Sequence, residues 1–558
     1  MNQDLTIEIL SYLPFKEQVK SSLICKEWYH LNKYIYKTPL NLEYTQIQKP
    51  LFRNWYKGKS VDIHLHIRKY THEIVIPEEF RHHISLLILF ANQLTILPPS
   101  ILSLSNLQHL RIINNELTCI PESIQQLSLL KTLDLSNNDI KVIPEYISNL
   151  SNLETLIIQF NSIQCVPNHL NNLEKLIKLD VSNNLITTVS DGLEMKRLTR
   201  LFLSSNRIQT ISIQKLTNLK YLHLHANALQ DLQLGLVPLV ELDLRMNKFR
   251  NFPSCIWDIN TLEKLYFSDN YFTSVTVPSS NSLQLLELNS TFQSQIDLNI
   301  SALNITCLNL CRNNLIEIPN SISHLKNLKE LYMTYNNLNV IPEFVTKFKH
   351  LKILNLYSNC ISQIPASIGN LTSLEYIDLH HNGISQLPSS ISCLKNLKKL
   401  FIGHNQLTSL PNELCLLENI VDIRLMYNLL KNLPSDIGKL KNLKVLAITS
   451  NRIKLLPDSI GELKNLELFE CEFNLLKCIP DSICNMPRLE QLLLDGNNLT
   501  RLPENIGNVQ NLELLSLYNN RLKKLPSSTN RLFSDKAKIN ILSLQKKFYI
   551  TNLITNTI

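Results

Sequence analysis

Residues 130–152 read LKTLDLSNNDIKVIPEYISNLSN. In the first half Leu133 and Leu135 alternate with polar neighbours, which is strand spacing with one face buried. In the second half Ile143, Ile147 and Leu150 are spaced for a short helical or 3-10 turn. Pro144 suits the first position of that turn, because its φ is preset and its missing N–H has no partner to lose there. Asn138 stands between the halves among apolar residues, where an amide must be hydrogen-bonded. It offers both donors and an acceptor, so it can satisfy backbone groups freed where the strand turns outward.

The same frame, LxxLxLxxNxL, extends in both directions. Asn92, Asn115, Asn138, Asn161 and Asn184 are 23 residues apart, and the step resumes from Asn313 through Asn336, Asn359, Asn382, Asn405, Asn428, Asn451, Asn474 and Asn497 to Asn520. A fixed period of this length means stacked units that each bury their apolar face against neighbours. Between the two runs the spacing shortens through Asn206, Asn227 and Asn247, returns at Asn270, and has Thr291 where Asn is expected. Residues 273–306 also lack the Pro-led outer turn, so they read as a decayed repeat.

The units resemble leucine-rich repeats of the 23-residue intracellular type over residues 84–526. The resemblance implies an α/β solenoid, a horseshoe with a concave parallel sheet. About 20 frames can be placed, which at about 4.8 Å per strand gives a sheet about 95 Å long.

Composition narrows the function classes. Hydrophobic residues make up 44% of the 558 residues and supply a full core, while only 10 Gly argue against phosphate-cradling loops. No motif for nucleotide binding, zinc hydrolysis or a nucleophilic serine is present, and the expectation is a non-catalytic protein without cofactor or metal. The 12 Cys are scattered singly, with Cys307 and Cys311 the only close pair, and read as incidental thiols. His64, His66, His72, His82 and His83 cluster in sequence, but no Cys or carboxylate completes a metal set, so they read as a capping face. Without an apolar span or a secretory start, the expected location is the cytoplasm, with the nucleus as alternative. Of the net charge of +8, a surplus of seven lies from Arg521 onward, a basic end.

Before the repeats, residues 1–45 read as short helices with too little core to stand alone. Leu5, Ile9 and Leu10 precede a break at Leu13-Pro14, followed by Ile24 and Trp28. The run resembles an F-box, on Glu8-Ile9-Leu10, Tyr12-Leu13-Pro14, Glu17 and Ile24-Cys25-Lys26-Glu27-Trp28-Tyr29, although Met1-Asn2 stands where the family opens with Leu-Pro and Gln18 where Leu is usual. The resemblance implies that Leu5, Ile9, Leu10, Leu13, Pro14, Ile24 and Trp28 contact a Skp-type adaptor and through it a cullin ligase core. Residues 46–83 read as a connector and capping repeat, and 527–558 as a basic cap or tail.

The variable strand positions between buried leucines offer the candidate recognition site. Tyr332, Tyr335, Tyr357, Tyr376, His380, Phe401, His404, Arg424 and Tyr427 align across five units, with His381 and Met426 beside them, and aromatics with Arg are the commonest interface anchors. A smaller column comprises Phe202, Tyr221, His223, His225, Arg245 and Tyr266. Together these features predict an interaction adaptor, the substrate-recognition subunit of a Skp-cullin-F-box ubiquitin ligase. The alternative is a signalling scaffold that binds a small GTPase or a phosphatase.

Overall fold

The computed structural model describes residues 40–43, 63–68, 74–278, 282–290, 297–534 and 538–540. They divide into two units, residues 1–249 with 253–262, and residues 250–252 with 263–558. Each is a solenoid on a parallel sheet, with ten strands of the main ladder in the first unit and thirteen in the second. Most strands have three residues, such as Thr132–Asp134 beside Thr155–Ile157, paired Leu133 to Leu156 one repeat apart. That register follows from the period: a slip of one residue would turn every buried leucine to the open face.

The frame leucines form the core. Leu130, Leu133, Ile140, Ile147 and Leu150 are fully buried, as are their equivalents along both units. Burial of each such side chain stabilises by about 1.5–3 kcal/mol. On the outer side, 3-10 turns at Glu122–Gln126, Glu145–Asn149 and Asn168–Asn172 each follow a proline, Pro121, Pro144 and Pro167. One apolar residue per turn, Ile124, Ile147 or Leu170, plugs the core.

The recurrent asparagines fasten one repeat to the one before it. Asn138 Nδ2 donates to Ile112 O in the preceding repeat (2.8 Å) and to Leu135 O in its own (3.0 Å), while its Oδ1 accepts from Leu117 N (3.1 Å). Asn161, Asn184, Asn336, Asn405 and Asn451 repeat this pattern. The residue before most of these amides takes a left-handed backbone, with φ near 55° at Asn137, Phe160, Tyr335, His381, His404 and Tyr427. Such a conformation costs a non-glycine residue about 1–2 kcal/mol, and the neighbouring hydrogen bonds hold it in place.

Two short strand pairs lie outside the main ladder. Cys165–Val166 pairs with Thr188–Val189, and Ser274–Val277 pairs with Asp297–Ile300, in two small sheets on the outer side. These stretches are rich in Val and Thr, whose branched Cβ favours extended backbone. The irregular segment therefore does not break the solenoid: Leu285–Glu287 lies in the main ladder between Lys264–Tyr266 and Cys307–Asn309.

The ladder also reaches beyond the regular frames. Leu40–Glu43, read from sequence as the end of a helical module and the start of a connector, is instead a strand paired with Ile63–Arg68. The alternating LNLE already fits that state. At the other end Lys538–Asn540 adds a strand beside Leu514–Ser516, past the expected limit of the repeats. The remainder of the helical module, residues 1–39, lies outside the described residues.

Replacing Asn405 by Ala leaves the Ile384 N–H and the Leu379 carbonyl without their partner. The expected local loss is about 2 kcal/mol or more, read as an Ile384 amide that exchanges about 30-fold faster. Unchanged protection at Ile384 would show the ladder to be dispensable.

Candidate functional site

In the second unit the strands present two rows of side chains on the open face. The inner row lies within the strands: Tyr332, Phe401 and Arg424 share one register position and Tyr376 stands two residues before it, in strands Glu330–Tyr332, Tyr376–Asp378, Lys399–Phe401 and Asp422–Arg424. The other lies at the strand exits, on or next to the left-handed residues before the asparagines.

The inner row satisfies its own polarity. Tyr332 Oη donates to Glu330 Oε2 (2.9 Å), and Tyr376 Oη to Asp378 Oδ2 (2.9 Å). Burial and the adjoining carboxylates push both phenols well above the usual tyrosine range. His380 Nδ1 lies 2.9 Å from Asp378 Oδ1, and Arg424 reaches Asp422 at 3.1 Å while lying 5.0 Å over the Phe401 ring. Phe401 also meets Tyr376 and His380 edge-on, at 5.3 and 5.5 Å.

The outer row is a continuous file of rings. Tyr335 meets Tyr357 at 5.2 Å and Tyr357 meets His381 at 5.1 Å. His381 stacks on His404 at 3.8 Å, and His404 on Tyr427 at 4.2 Å. The Arg312 guanidinium caps the file over Tyr335 at 5.0 Å. Burial, with His381 and His380 nearby, holds the His404 imidazole below its ordinary value. Gly403 makes the crossing between rows feasible, because a Cβ there would lie 2.6 Å from the His380 ring and 2.8 Å from Met426 Sδ.

The structure thus brings together eight of the nine residues singled out from sequence, while Tyr332 is tied to Glu330 and joins none of the ring contacts. His381, read beside His380 from sequence, joins the eight, whereas Arg312 and Gly403 lie outside the residues read from sequence. Both follow a simple signal: they lie one or two positions before a ladder asparagine, Asn313 and Asn405. The adaptor-contact candidates Leu5, Ile9, Leu10, Leu13, Pro14, Ile24 and Trp28 lie outside the described residues.

The smaller column in the first unit is a network of charges around aromatic rings. Phe202 packs on His223 at 4.7 Å, under Lys178 at 5.1 Å, and His223 Nε2 lies 2.9 Å from Glu241 Oε1. Asp243, 2% exposed, takes two hydrogen bonds from the Arg245 guanidinium (3.0 and 2.7 Å) and has His225 Nδ1 at 3.2 Å. Burial alone would raise its pKa, but the bonds from His225 and Arg245 outweigh that and hold the carboxyl far below the usual range.

Among the described residues no group of three or more His, Cys, Asp or Glu is placed to hold a metal. His64 and His66 share one half-buried face of Ile63–Arg68, as their alternation predicts. Cys307 and Cys311 do reach the open face, but burial pushes the Cys307 thiol up to about 12, helped by Glu330, and raises Cys311 as well. Both thiols stay protonated and unreactive at neutral pH. No helix among the described residues is long and apolar enough to cross a membrane.

Comparison with known families and structures agrees with this geometry. The profile for leucine-rich repeat region matches residues 91–203 and 343–428, and that for leucine rich repeat matches 441–499. The matched stretches are leucine-rich repeats. The F-box domain profile matches residues 1–31, ahead of the repeats. Among solved structures, the leucine-rich repeat ectodomain of the Arabidopsis thaliana membrane receptor kinase GASSHO1/SCHENGEN3 is 26% identical, with TM-score 0.54 over 86% of this chain and 63% of its own. YopM from Yersinia enterocolitica is 24% identical, with TM-score 0.54 over 87% and 92%. The plant peptide hormone receptor RGFR1 is 24% identical, with TM-score 0.52 over 86% and 80%. The last two likenesses establish the leucine-rich repeat fold alone. No curated protein sequence matches the chain.

The Asp243 network has a testable signature. A carboxyl with a depressed folded-state pKa stabilises above its unfolded value and loses that contribution as pH falls through the folded one. Its contribution should therefore be undiminished from neutrality to about pH 4 and fade only in stronger acid. Asp243→Asn should cost about 1–2 kcal/mol at pH 7 in urea unfolding, with the deficit unchanged at about pH 5. A deficit that vanishes by pH 5 would contradict the assignment.

Proposed function

We propose that this protein is a non-catalytic adaptor of a Skp-cullin-F-box ubiquitin ligase. In this reading the N-terminal segment holds the Skp-type adaptor, and the open face of the second unit captures a protein substrate. The observation that carries it is the F-box domain match at residues 1–31 in one chain with leucine-rich repeat matches through residue 499. An F-box points to a Skp-type partner, and the repeats supply a broad protein-binding sheet.

The face described above supports the second half of the reading. Its aromatic and arginine side chains are the residue types that dominate binding energy at interfaces. They are pre-ordered by stacking and by the left-handed turns beneath them, so little side-chain freedom is lost on binding. The reaction itself needs nothing from these residues beyond proximity. A substrate held near the ligase reacts at a raised effective concentration.

Two pairs of substitutions separate the halves. Leu13→Asp with Trp28→Asp should abolish co-purification of Skp and cullin subunits while the repeats keep their thermal transition; retained co-purification removes the ligase role. Tyr357→Ala with Tyr376→Ala should weaken substrate capture by at least about 2 kcal/mol, roughly 30-fold, with Skp binding intact. Equal capture by variant and parent, measured by quantitative affinity purification, would remove this face from the function.

A further inference from the structure

The two rows on the open face of the second unit differ in what already satisfies their charges. In the inner row Arg424 has Asp422, His380 has Asp378, and both half-buried tyrosines, Tyr332 and Tyr376, have a carboxylate. In the outer row Arg312, His381 and His404 carry no side-chain hydrogen bond or ion pair among the described residues. All three are cations or become cations on protonation. The row from Arg312 to Tyr427 includes no carboxylate, and the acidic residues Glu470 and Glu472 begin two strands further on.

Their spacing defines a shape. Neighbouring strands are about 4.8 Å apart, so His381 lies about 14 Å and His404 about 19 Å from Arg312 along the row. An extended chain advances about 3.3 Å per residue and covers the longer distance in about six residues. The donors are spread along a line of rings and do not converge on one point. A single phosphate, which is best held by a fork of donors around one centre, does not match that layout, whereas separate carboxylates do.

We propose that the outer row receives an extended acidic segment of the protein partner, with one carboxylate against Arg312 and two more, about four and six residues from it, against His381 and His404, and that this contact takes up protons. The proposal rests on the reading of the open face as the recognition surface. The segment lies across the file of Tyr335, Tyr357, His381, His404 and Tyr427, its backbone and apolar side chains on the rings.

Proton uptake follows from the stack. His381 and His404 lie with ring centroids 3.8 Å apart and planes within 13°. Two like charges that close oppose each other, and His380 adds a third imidazole whose partner carboxylate, Asp378, is already engaged. The other groups facing the pair are Tyr357 and Tyr427, which are neutral. A bound carboxylate favours the charged imidazole, so the bound state holds more protons and affinity rises as pH falls. If the bound carboxylate makes one histidine hold its proton about ten-fold more tightly, the segment binds about ten-fold tighter in acid than in base.

The test is fluorescence anisotropy on the full chain with three labelled seven-residue peptides of one pattern, Glu-Tyr-Gly-Gly-Glu-Tyr-Glu and its versions with Gln or Lys for every Glu. The Glu peptide should bind at least about ten-fold tighter than the Lys peptide, and about five- to ten-fold tighter at pH 5.5 than at pH 7.5, where its own carboxylates are ionised throughout. His381→Gln with His404→Gln should abolish the pH dependence of whatever affinity remains, while Arg312→Gln should weaken binding at both pH values and keep the pH dependence. No binding of the Glu peptide up to about 1 mM, equal binding of Glu and Lys peptides, or a pH dependence that survives the double histidine substitution each overturns the proposal. Tyr357→Ala with Tyr376→Ala judges the underlying reading separately. If that variant captures the protein partner as well as the parent does, the recognition face itself is wrong; if it loses capture while Glu and Lys peptides bind the parent alike, only the acidic segment is wrong.

Discussion

The amide of the ladder asparagine is the interaction on which the rest of the molecule depends. In the 23-residue repeats it donates back to a carbonyl 26 residues earlier and accepts an N–H 21 residues earlier, as Asn405 does with Leu379 and Ile384, and in the shorter repeats at Asn206, Asn227 and Asn247 both offsets shrink with the period. These backbone groups sit where strand gives way to outer turn, away from water, and would be costly if left alone. One side chain per repeat thus closes the turn and joins two repeats. Leucine burial supplies most of the energy, but leucines alone would not say where each strand ends.

That constraint also shapes the open face proposed for recognition. Holding the asparagine inward forces the residue before it into a left-handed backbone, at Tyr335, His381, His404 and Tyr427 in consecutive or near-consecutive repeats. Side chains at that position leave the sheet edge in parallel, one strand apart, and rings placed there come into stacking range. The ordered file of rings is a by-product of the hydrogen bonds that hold the solenoid together. In the inner row, by contrast, side chains stand over the sheet and meet cross-strand neighbours, so carboxylates such as Asp378 and Asp422 pair with the basic groups beside them.

Both units use the same device for charge. Asp243 with Arg245 and His225, and Asp378 with His380 and Tyr376, each combine one nearly buried carboxylate with donors two residues along the same strand or on the next. The carboxylate is expensive to bury and is stabilised only because those donors converge on it. The result is a face whose inner charges are engaged within the fold and whose outer cations are turned to solvent.

Period, frame and the identity of the core were determined by the sequence alone, because in a repeat each unit meets only its neighbours and one well-read unit, residues 130–152, specifies them all. The recognition columns were legible for the same reason: alternation places every variable strand residue on the open face. What the tertiary structure decided was everything that depends on two positions at once. Leu40–Glu43 and Lys538–Asn540 became strands because a paired neighbour was waiting, not because of a repeat frame. Tyr332 left the ring cluster for Glu330, while Arg312 entered the file of rings, through side-chain distances that no single position encodes. Spacing names the residues that share a face; only packing tells which of them satisfy one another and which remain available to a partner.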